Sequence, residues 1–88
     1  MNKYIVEFLG TLVLTFVILA TGNWLAIGAA LAVVALIGGP ISGGAFNPAV
    51  AIAYAAANKI SGSDVIPYVA AEIAGALAAF QLVKLVVK

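Results

Sequence analysis

The chain has 88 residues, 66% of them hydrophobic and 8% charged, with a mean hydropathy of +1.26 and a formal net charge of +1. Soluble domains are nearer half apolar and a quarter charged, and no soluble fold this small hides so much apolar surface, so the bilayer must be the solvent. So small a net charge gives no footing on nucleic acid, and with no cysteine and no histidine disulfides, thiolate chemistry and the usual zinc sites are excluded.

The first apolar run covers about residues 4–20. Glu7 interrupts it, and it is longer than the apolar region of a signal peptide, so it is expected to be a retained span. Thr21 to Trp24, "TGNW", breaks it with a Gly22–Asn23 turn, and Trp24 suits the membrane interface. A second span is expected over about residues 24–38. "GGPISGG" (38–44) then reads as non-helical: Pro40 lacks a backbone donor, and glycine loses much conformational freedom in a helix. From Pro48 to Ala57 runs a stretch of helix formers about 15 Å long, half the hydrocarbon thickness. "NKISGSD" (58–64) is the one clearly polar loop. A third span follows over about 65–87, with Ser63 as its expected N-cap and Pro67 in its first turn. Small residues at four-residue steps (Gly10, Gly28, Gly75 and Ala71–Gly75–Ala79) read as close helix packing. The expected architecture is all-α: one domain over 1–88, with three transmembrane helices and a re-entrant loop and half helix over about 40–57.

The centre of the chain, "ISGGAFNPAVAIAYAAA" (41–57), puts Asn47 and Pro48 side by side in an oily context. Asn is among the best N-caps and Pro is pre-organised for the first helical position. Non-helical backbone survives at membrane depth only when buried in protein or lining a watery cavity. The pattern therefore predicts a strand that enters and a half helix that leaves, its positive end near the midplane. The Asn47 oxygen would cap the helix and leave amide donors facing a cavity. The carbonyls of Ser42, Gly43, Gly44, Ala45 and Phe46 would supply acceptors along the same wall.

"SGGAFNPAV" resembles the Asn-Pro-Ala loop of aquaporins and aquaglyceroporins. The flanks agree: "EFLGTLVLTF" (7–16) resembles the family's first helix, "LAIGAALAVVALIGGPISGGAFNPAVA" (25–51) its second helix and loop without a gap, and "PYVAAEIAGALAAF" (67–80) its third helix. The likeness covers about residues 5–82. The chain also departs from the family. It carries one repeat where family members carry two. Ala45 stands where first repeats usually have histidine, Val50 where second repeats have arginine, and Glu72 where Gln is common.

The resemblance implies a passive channel for water or small neutral solutes such as glycerol, with no enzyme activity, cofactor or metal. Asn47, Pro48 and Ala49 would form the pore centre. A family pore lies between two inverted repeats, so the expected partner is a second copy in an antiparallel homodimer, with four dimers per assembly by analogy. Lys3 and Lys59 fall on one side of the membrane and Lys84 and Lys88 on the other, the even balance a dual-topology protein requires. Gapless matching puts Ile27 of one copy with Ala35, Gly44 and Val50 of the other at the narrow mouth. Glu7 reads either as an interfacial partner of Lys3 or as a buried acceptor for loop N–H groups, and the resemblance favours the latter. Glu72 would be costly if ionised and unpaired. As a neutral acid it could bond the loop, and a proton-coupling role is the alternative. Two other functions remain: a small dual-topology proton-coupled transporter using Glu7 or Glu72, and a holin-like permeabilising protein.

Overall fold

A computed structural model describes residues 1–87. Lys88, one of the four lysines counted above, lies outside the described residues. The elements are α1 (Lys3–Thr21), α2 (Trp24–Ser42), α3 (Pro48–Ala56), a short 3-10 turn η1 (Gly62–Asp64) and α4 (Val65–Val86). Among the described residues there is no strand, and α1, α2 and the stretch Gly62–Val86 are each long and apolar enough to cross a membrane.

Local chemistry sets the helix ends. The Asn2 side chain accepts the Tyr4 N–H and opens α1, and Gly22 closes it in the left-handed region at φ 57°. Asn23 immediately caps α2, its Oδ1 accepting from the N–H groups of Leu25 (3.0 Å) and Ala26 (2.9 Å). The Gly22–Asn23 break is therefore two caps back to back. α2 runs on through Gly38, Gly39 and Pro40 to Ser42, against the expectation that this stretch is not helical. The clash that keeps the residue before proline out of the helical region involves its Cβ, which Gly39 lacks. Pro40 also falls close to the end, where one missing donor disturbs little. The helix stops at Gly43, in the left-handed region at φ 87°, its N–H bonded to the Gly39 carbonyl. Ser63 is not the cap of the third span. Ser61 caps η1, which leads straight into α4.

α1 is the central helix, packed between α2 and α4, and α3 lies on α4 and η1. The α1–α4 contact is close because Gly75 is small: a Cβ there would overlap the Phe8 carbonyl and approach the Leu12 N–H. The two N-terminal ends are tied together. Lys3 Nζ meets Asp64 Oδ2 at 2.9 Å and the Tyr4 hydroxyl donates to Asp64 Oδ1 at 2.7 Å. Tyr4 and Tyr68 stack edge to face, centroids 5.8 Å apart. Large apolar side chains are exposed along the helices, Trp24, Leu36 and Ile66 each about four-fifths so, as a lipid-facing surface requires.

Gly75→Val puts a branched side chain against α1 backbone that cannot yield. It should destabilise the fold by about 1–3 kcal/mol, seen as a lower unfolding temperature in detergent, whereas Gly28→Ala, at a site with open space around it, should leave that temperature unchanged.

Candidate functional site

Residues 44–46 lie between the last bond of α2 and the first of α3, so their backbone groups need partners other than helical ones. Glu7 is fully buried and supplies two of them, together with one for the Ser42 hydroxyl. Its Oε1 accepts the Phe46 N–H at 2.7 Å. Its Oε2 accepts the Ser42 hydroxyl at 2.7 Å and the Ala45 N–H at 3.2 Å. Glu7 is thus the buried loop acceptor, and the cation at the helix start, Lys3, pairs with Asp64 instead.

The loop also turns acceptors inward. The buried Tyr68 hydroxyl donates to the Ser42 carbonyl at 2.7 Å, and the Thr11 hydroxyl donates to the Phe46 carbonyl at 3.2 Å. Both carbonyls therefore point into the protein, against the expectation that all five from Ser42 to Phe46 line one wall. Among the described residues, only the carbonyls of Gly44 and Ala45 in this stretch accept no side-chain hydrogen bond; that of Gly43 accepts the Tyr54 hydroxyl at 3.1 Å. Phe46 adopts φ 53°, a left-handed conformation that costs a non-glycine residue about 1–2 kcal/mol. Its bond to Glu7 and its buried ring hold it there. The ring is seated where a Cβ on Gly10 or Gly38 would collide with it or its neighbours, so these two glycines keep a slot open between α1 and α2.

Beyond Phe46 the chain is extended at Asn47 (φ −154°, ψ 130°), and α3 begins at Pro48. Asn47 Oδ1 accepts the N–H of Ala49 at 2.8 Å and of Val50 at 3.4 Å. With its oxygen engaged, the amide keeps two N–H donors on an exposed residue, beside the exposed Pro48 and Ala49. The nine-residue α3 is about 14 Å long, under half the hydrocarbon thickness.

Of the four residues matched to the mouth, the structure brings Ala35 and Gly44 together: a Cβ on Gly44 would lie 3.7 Å from the Ala35 Cα. Val50 is half-buried and packs on the Ala45–Ala51–Tyr68 cluster. Ile27 lies on α2 about 12 Å along the axis from Ala35, away from the loop of its own chain. On the side where the loop enters, a depression of about 570 Å³ is lined by Lys3, Gly39, Gly43, Lys59, Ser61 and Asp64 among others.

Glu72 is 1% exposed, and neither carboxyl oxygen has a hydrogen-bond partner among the described residues. Its polar surroundings are the Glu7 carboxyl and the Asn47 backbone N–H. Sequence reasoning missed Thr11, Tyr68 and Tyr54. A helical-spacing signal pointed to the first two, since Thr11 follows Glu7 by four residues and Tyr68 precedes Glu72 by four. The described residues hold no cluster of three potential metal ligands.

Such an arrangement defines an all-helical integral membrane protein with a re-entrant half helix pinned to a buried carboxylate. The chain belongs to the major intrinsic protein family, whose family model matches residues 1–88. It is 45% identical to glycerol uptake facilitator protein-like 6 of Lactiplantibacillus plantarum, over 96% of this chain and 43% of that protein. It is 43% identical to the aquaglyceroporin AqpS of Rhizobium meliloti, over 72% of this chain and 27% of that protein. Aquaporin Z of Brucella melitensis is 38% identical, over 90% and 41%. The chain thus spans less than half the length of these relatives. No solved structure is a significant match.

The two buried carboxyls should respond oppositely to substitution. Glu7→Ala leaves the Ala45 and Phe46 amides without an acceptor and the Ser42 hydroxyl with only the Gly38 carbonyl at 3.4 Å, and should lower stability by at least about 2 kcal/mol. Glu72→Gln removes an ionisable group from bilayer depth and offers an amide donor towards Glu7, so stability should hold or rise. Thermal unfolding in detergent checks both, and a clear loss of stability in Glu72→Gln would contradict the unpartnered state of Glu72.

Proposed function

We propose that the protein is a passive membrane channel for water and small neutral solutes such as glycerol, its pore formed between two oppositely oriented copies. The observation that carries this reading is the Asn47 tip: an amide whose oxygen is committed to its own helix and whose donors stand exposed at the end of a half helix. Hydrogen-bonding groups at bilayer depth need water or protein to face them. A second copy related by a two-fold axis in the membrane plane would bring a second such tip opposite the first. The even lysine balance supports dual insertion, and the names of the relatives support the solute class. Four dimers could assemble further, as family members commonly form tetramers of pores.

Selection follows from charge and geometry. Two Asn47 amides and two positive half-helix ends would face the pore centre. A water molecule there accepts from the amides and must donate outwards in both directions, to the carbonyls of Gly44 and Ala45 of each copy. That breaks a proton wire, and the helix dipoles repel cations. Ile27 of one copy with Ala35, Gly44 and Val50 of the other would form each mouth. All are apolar and most are small, so the mouth would admit glycerol and offer water few polar contacts. The unpartnered Glu72 favours one other reading, proton-coupled transport. That reading requires flux driven by a pH gradient and abolished in Glu72→Gln, while a passive channel requires neither.

Osmotic swelling of liposomes containing the purified protein tests the proposal. Water and glycerol should both pass, water at a modest rate. Val50→Arg places a bulky cation at each mouth and should lower glycerol flux more than water flux, by roughly tenfold for a barrier change of about 1.4 kcal/mol. Liposomes that admit water and reject glycerol would contradict the proposed mouth, and liposomes that admit neither would contradict the channel.

A further inference from the structure

Tyr54 lies two turns along α3 from Asn47, on the same face, and is half-buried. Its hydroxyl donates to the Gly43 carbonyl at 3.1 Å, and its ring edge lies 3.3 Å from where a Cβ on Gly43 would stand. Gly43 is exposed and also lines the depression on the loop's entry side. Neither Gly44 nor Ala45 lines that depression, so of the three carbonyls that of Gly43 is the one whose residue borders the entry side. The aromatic ring is itself fixed: the Lys59 N–H bonds the Tyr54 carbonyl at 2.8 Å, and the Lys59 ammonium stands 5.7 Å from the ring centroid.

We infer that Tyr54 is a specificity-determining residue at the pore mouth, its hydroxyl occupying the outermost carbonyl of the wall and so disfavouring solutes with several N–H or O–H donors relative to water. The inference rests on the channel reading above. A peptide carbonyl is a strong acceptor. A phenol that has given its proton to that carbonyl presents in its place an oxygen whose lone pairs are partly drawn into the ring. A water molecule needs one acceptor at a time and has those of Gly44 and Ala45 ahead of it. Glycerol or urea carries several donors that must be matched together as bulk water is shed. The phenol takes one of the two lone pairs of the entrance carbonyl, and that lost acceptor position raises the barrier for such solutes more than for water. In a symmetric pair, both mouths would carry the same phenol.

The test is Tyr54→Phe in liposomes, with water, glycerol and urea permeabilities measured against the unaltered protein. The ring remains, and the Gly43 carbonyl becomes free. The ratios of glycerol and urea permeability to water permeability should each rise about two- to tenfold, the range one net hydrogen bond corresponds to. Tyr54→Leu, which also lacks the hydroxyl but keeps apolar bulk, should move both ratios the same way and guards against a folding defect in the first variant. If the hydroxyl only holds the loop together, all three permeabilities will fall in step and the unfolding temperature will drop, which overturns the inference. Unchanged ratios in variants that conduct also overturn it and leave the channel intact. An unaltered protein that conducts nothing overturns the channel reading, and this inference with it.

Discussion

The Glu7 carboxylate is the contact on which the rest of the site depends. A chain inside hydrocarbon must satisfy its own backbone groups, and residues 44–46 do not do so by helical bonding. One side chain from α1 accepts from two successive amides of that stretch and from the Ser42 hydroxyl before it. Leaving any one of these donors unpaired in a buried site would cost about 1–3 kcal/mol. The bonds hold Phe46 in its left-handed conformation, and that conformation drives its ring into the slot kept open by Gly10 and Gly38. The spacing of α1 and α2 and the path of the loop are consequently one structural fact.

The same contact sorts the loop's polarity. With the amides of Ala45 and Phe46 turned to Glu7, and the carbonyls of Ser42 and Phe46 turned to Tyr68 and Thr11, the inward side is closed by protein donors and acceptors. The carbonyls of Gly44 and Ala45 accept no side-chain hydrogen bond among the described residues, and the Asn47 amide follows them in the chain. The half helix then begins with a proline that has no N–H to lose and an asparagine oxygen that covers the next two. A positive helix end and two amide donors converge at one exposed point. Among the described residues, Glu72 is a buried side chain near this centre whose oxygens have no hydrogen-bond partner, and it stands beside the Glu7 carboxyl on which the loop hangs.

Much of this was legible in the sequence because it rests on local rules. Asn47–Pro48 announces a helix start wherever it occurs, Gly22–Asn23 announces a stop and a start, and runs of apolar residues announce spans. Glu7 drew attention because a carboxylate in such a run needs a reason. The end of α2 was misread because glycine and proline were weighed separately. Together, Gly39 removes the clash that Pro40 would otherwise impose, and the helix continues. The directions of the carbonyls could not be read, since they depend on donors 26 to 35 residues away in sequence, at Tyr68 and Thr11. Tyr54 lies within the run of helix formers from Pro48 to Ala57, and nothing local singles it out. Its hydroxyl matters only because the left-handed turn at Gly43 brings a carbonyl back to it.

Two half helices meeting tip to tip is the central claim, and distances between spin labels in membranes test it most directly. The chain has no cysteine of its own, so a single Ala49→Cys or Lys59→Cys substitution provides one labelling site per copy. In an antiparallel pair the labels at 49 should lie near the midplane, within about 20 Å of each other, and those at 59 on opposite faces, separated by about the 30 Å of hydrocarbon or more. Short distances at both positions would mean parallel copies, and no dipolar coupling at either would mean separate ones. Both results would contradict a pore shared between two oppositely oriented chains.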